Sequence, residues 1–272
     1  MKRLIFGKGK VSRVIKKDQD VVLSKSDCNI LDASKVKALI DKFKPDAVIN
    51  CAAKTNLEYC EENKIEAYQS NVVGVTNLLS ACSDKNVKFI HISSGCLFDG
   101  NNFIADEKTE ASPAVWYTWT KKWADELISN FGYENHLILR PRQLISVIPH
   151  KSNMLTKFAS MKKISAIDEL NSLTCIEDFS EMIDHLIKTK SSGIFNCCNT
   201  GTITPYDIAI SVKKFINPDL VVERISYTNL LKRLPNKRVN TILSSEKIIK
   251  TGYTPRSSKE ALEWCVKNYG KK

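Results

Sequence analysis

A chain of 272 residues with 43% apolar and 26% charged residues has the balance of a globular protein with a sizeable buried core, which excludes a disordered or fibrous polypeptide. The formal net charge of +11 raises the question of polyanionic partners, but the lysines are scattered. Short clusters such as Lys16-Lys17, Lys121-Lys122 and Lys162-Lys163 carry no interleaved aromatics, so no nucleic-acid partner is expected.

Cysteine usage narrows the compartment. The nine cysteines contain no Cys-x-x-Cys pair and are odd in number, so neither a disulfide framework nor a metal site is expected, and reduced thiols suit a cytoplasmic protein. Met1 is followed almost at once by the apolar Leu4-Ile5-Phe6, so neither a leader nor a membrane span is expected.

In chain order, residues 2–6 predict a buried strand running into Gly7-Lys8-Gly9-Lys10-Val11-Ser12. Glycines between a first strand and a first helix let the backbone approach a pyrophosphate, held by amides at the helix start. Ser12 stands where a third glycine would complete that pattern. Asp20-Val21-Val22-Leu23 predicts a second strand ending in Ser24-Lys25, where a site for NAD would usually carry an acid on the ribose. With Arg13 and Lys25 available, a 2′-phosphate is welcomed and NADPH is the expected cofactor.

From Asp32 a helix is expected, and Asp46 to Ala53 reads as a strand whose end, Cys51-Ala52-Ala53, is small enough to admit a flat cofactor. Asn71 through Leu79 predicts a helix and Val87 to Ser93 the next strand. Strands alternating with helices at this spacing imply an α/β doubly wound parallel sheet, with ligands at the strands' carboxyl ends. Ser94 and Cys96 stand at such an end. If Tyr117 opens the following helix, Lys121 lies one turn along the same face, where an ammonium lowers the pKa of a phenol that must give or take a proton.

Ser93-Ser94-Gly95-Cys96-Leu97-Phe98-Asp99-Gly100 and Asn50-Cys51-Ala52-Ala53-Lys54-Thr55 resemble dTDP-4-dehydrorhamnose reductases, a group of extended short-chain dehydrogenase/reductases. The likeness extends over nearly the whole chain and includes the plant-type bifunctional enzymes that turn UDP-4-keto-6-deoxyglucose into UDP-rhamnose. It implies a Rossmann-like NADP-binding domain in residues 1–145 and a mainly nucleotide-sugar-binding lobe in residues 146–272, interleaved with the first. Cofactor contacts are then expected from Gly7, Lys8, Gly9, Lys10, Val11, Ser12, Arg13, Ser24, Lys25, Cys51, Ala52, Ala53, Asn71, Tyr117, Lys121 and Arg140. Contacts to a UDP-sugar are expected from Lys54, Ser94, Cys96, Asn153, Lys157 and Arg238.

The resemblance also implies roles. Ser152-Asn153-Met154-Leu155-Thr156-Lys157-Phe158 is similar to a stretch of the bifunctional enzymes whose lysine works in epimerisation with the cysteine of the Gly-Cys element, here Lys157 and Cys96. Those two would move protons at carbons 3 and 5, and Ser94, Tyr117 and Lys121 would serve hydride reduction at carbon 4. Two alternatives remain open: a 4-keto reductase without epimerase activity, and a non-catalytic NADP-binding regulatory subunit, against which the intact Ser-Tyr-Lys set speaks. The state of assembly is also open, a homodimer among the options.

Overall fold

An inner strand of a parallel sheet is covered on both faces, and a continuous apolar run is the sequence that tolerates this. In the protein's structure, a computed structural model that describes residues 1–99 and 103–271, β1 (Arg3–Phe6) is buried at every position. Its one charged residue, Arg3, is matched by Asp20, whose carboxylate accepts from Nε at 2.9 Å. After it come α1 (Lys10–Ile15), β2 (Val21–Leu23), α2 (Ala33–Phe43), β3 (Ala47–Asn50) and β4 (Lys88–Ile92). Strands His136–Arg140 and Gly193–Asn196 complete a six-stranded sheet in the order Gly193–Asn196, His136–Arg140, β4, β3, β1, β2. The registered pairs are parallel, as the alternating pattern predicted.

This order fixes where a ligand would go. β1 has β2 on one side and β3 on the other, so successive crossovers leave β1 in opposite directions and open a crevice beyond its carboxyl end. Covering helices follow from their own sequences: α2 starts where Asp32 accepts the Lys35 N–H at 2.9 Å, and it buries Val36 and Ile40 against Leu4, Val48, Val75 and Leu78. The helix expected from Asn71 is entered differently. Helix Lys64–Tyr68 passes through a single π-turn, Gln69–Val73, before Gly74–Asp84, and the wider turn carries the buried Asn71.

The chain divides into two compact units. One comprises Met1–Leu97, Ala111–Arg140 and Leu186–Phe195 and contains this sheet; the other comprises Phe98–Glu110, Pro141–His185 and Asn196–Lys272. The second has its own core, including Val147, Leu155, Leu173, Ile208, Val212 and Leu262, and a parallel pair formed by Lys163–Ile167 and Val221–Ile225. Among the described residues, no helix is long and apolar enough to cross a membrane.

Candidate active site

Where β1 ends, the chain turns at Gly7 with φ of 100°. A Cβ there would stand 2.5 Å from the Ala52 nitrogen and 2.7 Å from the Cys51 carbonyl carbon, so the close approach of the β1 and β3 ends requires glycine. Gly9 differs: its φ is −117° and a Cβ would meet nothing within 4 Å. Its N–H donates to Ser12 Oγ at 2.9 Å, and that hydroxyl donates back to the Gly9 carbonyl at 3.1 Å. The serine in the third glycine's place thus caps α1, which also carries Lys10, Val11 and Arg13.

A cavity of about 330 Å³ opens here, lined by Gly7, Lys8 and Gly9 after β1, by Ser24 and Lys25 after β2, and by Cys51, Ala52, Ala53 and Lys54 after β3. Arg13, expected beside the cofactor, is not among the lining residues and lies exposed on the last turn of α1, whereas Lys8, Lys25 and Lys54 are cations on the cleft wall. Lys25 is 74% exposed, with Nζ 4.0 Å from Glu66. The nearby acid, Asp27, accepts the Ser24 N–H at 2.8 Å and its hydroxyl at 2.5 Å, and these bonds hold its carboxyl below the usual range, helped by Lys8 and Lys35.

Lys54 pairs with Glu66 at 2.6 Å, and bonds to Glu66 and Tyr59 raise its pKa. Asn71 braces this loop. Its Oδ1 accepts the Lys54 N–H at 2.7 Å, and its two amide hydrogens are committed to the Lys54 carbonyl at 2.9 Å and Thr120 Oγ1 at 3.0 Å.

Beyond β4 lies the predicted proton-transfer set. Ser94 is buried and its Oγ accepts the Cys96 N–H at 3.1 Å, within the tight turn Gly95–Leu97. Helix Trp116–Asn130 begins where Thr118 Oγ1 accepts the Val115 N–H at 3.1 Å, which puts Tyr117 in its first turn. Burial, with the neighbouring Cys96 next in effect, pushes the Tyr117 phenol above its ordinary pKa, and a hydrogen bond with Ser94 partly offsets this. Lys121, one turn on, donates to the Ile92 carbonyl at 2.8 Å and lies 3.3 Å from His91 Nε2. Its pKa falls to about 8 through burial, against the opposing pull of Asp125 and Cys51. The expected lowering of Tyr117 by Lys121 is therefore absent here, because desolvation governs both groups.

Residues 4–271 match the family described as the RmlD substrate binding domain. The chain belongs to that family. Among its relatives, a bifunctional dTDP-4-dehydrorhamnose 3,5-epimerase/dTDP-4-dehydrorhamnose reductase of Arabidopsis thaliana is 28% identical over 261 residues, covering 90% of this chain and 85% of that one. Protein L780 of Acanthamoeba polyphaga mimivirus is 29% identical over 269 residues, 91% of each chain. The crystal structure of L780, described as a UDP-rhamnose synthase, superposes with a TM-score of 0.87 at 24% identity over 98% of this chain and 99% of that one. A dTDP-4-dehydrorhamnose reductase of Bacillus anthracis in complex with NADP superposes with a TM-score of 0.89 at 21% identity over 97% of each chain.

Arg140 and Asn153, also expected in this RmlD-family site, are bonded within the protein. Arg140 is buried with Nε 2.9 Å from Asp125 Oδ2, an internal ion pair. Asn153 is fully buried and caps helix Met154–Ala159, its Nδ2 donating to the Ser146 and Ile148 carbonyls at 2.7 and 3.0 Å. Lys157 is exposed on that helix, and Arg238 is half-buried in an irregular stretch where Lys237 pairs with Asp99 at 2.6 Å. Gly100, which closes the motif after Ser93, lies outside the described residues.

Two buried groups escaped the sequence reading as site residues. Asn50 and His91 are register partners on β3 and β4, with Asn50 Nδ2 3.2 Å from His91 Nδ1. The available signal was a polar residue inside each of two apolar strands, both just before the glycine-poor, small-residue strand ends. In the second unit Cys175, Glu177 and Cys265 also meet, within 4.8 Å of one another, and the Arg256 guanidinium lies 3.8 Å from Cys175 Sγ. A fixed positive charge at that distance opposes a cation between the thiols.

Proposed function

We propose that the protein is an NADPH-dependent 4-keto-sugar-nucleotide reductase that also epimerises its substrate, a bifunctional 3,5-epimerase/4-reductase converting UDP-4-keto-6-deoxy-D-glucose to UDP-L-rhamnose. Its main support is Tyr117, a buried phenol whose pKa is set by its burial and by the neighbouring Cys96 and Ser94, at the carboxyl end of the strand next to β3. The cleft suits a dinucleotide: Gly7 admits close backbone approach, Lys8 and Lys25 offer positive charge, and Cys51, Ala52 and Ala53 leave its floor low. When bound, NADPH supplies the hydride for carbon 4.

The chain's residues supply the rest. Tyr117, kept protonated by its burial, donates its proton to the carbonyl oxygen while Ser94 orients that oxygen. Cys96, half-buried in the turn after Ser94, and Lys157, exposed on its helix, remove and return protons at carbons 3 and 5, which the neighbouring ketone acidifies. The Arabidopsis relative named for both activities supports the epimerase half. On this reading residues 1–145 hold the cofactor and the Ser-Tyr-Lys set, and residues 146–272 mainly hold the nucleotide-sugar.

Incubation with UDP-4-keto-6-deoxyglucose in heavy water, without NADPH, tests the finer assignment by NMR. Wild type is expected to place deuterium on carbons 3 and 5, and Cys96→Ser and Lys157→Ala each to lose exchange at one or both. No exchange by wild type leaves a reductase only; full exchange by both variants moves the epimerase role elsewhere.

A further inference from the structure

Asn50 and His91 form a buried polar pair inside the sheet, and the direction of their hydrogen bonds is fixed by a neighbour. Asn50 Oδ1 accepts the Ala52 N–H at 3.0 Å, so it is the amide NH₂ that faces His91 Nδ1 at 3.2 Å. An NH₂ only donates, so Nδ1 must accept, and a neutral imidazole then carries its proton on Nε2. His91 is fully buried, which strongly favours the neutral ring. Its Nε2–H is directed at Lys121, whose Nζ lies 3.3 Å away. An ammonium has only donors and cannot accept this N–H, whereas an uncharged amine accepts it and still donates to the Ile92 carbonyl at 2.8 Å.

We propose that His91 is a positioning residue for Lys121: its tautomer locked by Asn50, it presents an N–H to the lysine nitrogen and favours the uncharged amine. Other groups acting on Lys121 work in both directions. Asp125, on its own helix, and Cys51, after β3, favour the charged form, and burial disfavours it. Asp125 is itself paired with Arg140, which weakens its pull. Tyr117 precedes Lys121 by one turn of the same helix. His91 adds to the effect of burial, so that Lys121 gains or loses its charge near neutral pH instead of staying a permanent cation.

The consequence for turnover rests on the reductase reading above; the charge of Lys121 does not. The test therefore uses the protein alone, labelled with ¹³C,¹⁵N-lysine, with the Nζ titration followed by NMR and Lys121 assigned from the signal lost in Lys121→Met. Wild-type Lys121 is expected to titrate at about pH 8 or below, and His91→Phe to move it up by about one unit or more. His91→Gln, whose amide restores an N–H near the same place, should return it toward the wild-type value. In Asn50→Asp the carboxylate accepts from Nδ1–H and leaves Nε2 as an acceptor for the ammonium, so Lys121 should also move up. An unmoved Lys121 titration in folded His91→Phe overturns the proposal, as does equal displacement in His91→Phe and His91→Gln. NADPH oxidation measured across the same pH range separates the two readings: a shifted lysine titration with no wild-type turnover refutes the reductase assignment and leaves the role of His91 standing.

Discussion

Gly7→Ala tests whether the crevice is built as described. Its φ of 100° lies outside the conformations an alanine holds comfortably, which costs about 1–3 kcal/mol. The added methyl would also stand 2.5 Å from the Ala52 nitrogen, and because that neighbour is backbone, relief requires the β3 end to move, for another ~1–3 kcal/mol. A loss of about 3 kcal/mol corresponds to a melting temperature lower by roughly 6 °C in a chain of this size. Gly9→Ala is the internal control: at φ of −117° with nothing within 4 Å of the new carbon, it should change stability by no more than about 0.5 kcal/mol. Urea unfolding of the two variants gives the stabilities, and NADPH fluorescence titration reports the cleft, with Gly7→Ala weakened far more than Gly9→Ala. Equal stability and affinity in the two variants would refute the close approach of the β1 and β3 ends.

Tyr117→Phe removes the donated proton and should slow NADPH oxidation by about a hundredfold or more, while deuterium exchange at carbons 3 and 5 persists; unchanged oxidation rules the phenol out as the acid. Lys25→Glu and Lys8→Glu should each narrow the preference for NADPH over NADH by about tenfold, as expected for loss of an exposed charged contact, whereas Arg13→Glu, away from the cleft, should leave it nearly unchanged. An equal effect of all three would show that net charge, not position, sets the preference. Lys121 titrates at about 8 in the folded chain and near an ordinary ~10.4 when unfolded, so across that window the unfolded chain binds more protons and the lysine's contribution to stability rises with pH. Relative to Lys121→Met, wild type should therefore gain about 1.6 kcal/mol between pH 8 and 9.5 in urea unfolding; parallel pH profiles would contradict the depressed value.

Much of this arrangement follows from local sequence. The apolar run in β1, the Asp32 helix cap and the alternation of strands with helices are short-range signals, and each specified its element. The Tyr117–Lys121 spacing was likewise legible, because four residues on a helix fix a shared face whatever surrounds it. What surrounds it was decided by the tertiary structure. Burial reversed the expected tuning, holding Tyr117 up and Lys121 down, since the cost of desolvating a charge depends on the packed environment and not on the spacing. Packing likewise assigned Arg140 to Asp125, 15 residues away, and Asn71 to Thr120, 49 residues away. It set Asn50 opposite His91 across two strands, and it brought Cys175 to within 3.5 Å of Cys265 from 90 residues along the chain. Side-chain pairing of this kind depends on strand register and helix placement, which arise only when the whole core closes, so the sequence by itself determined the elements and the reactive types, and the fold decided which of them meet.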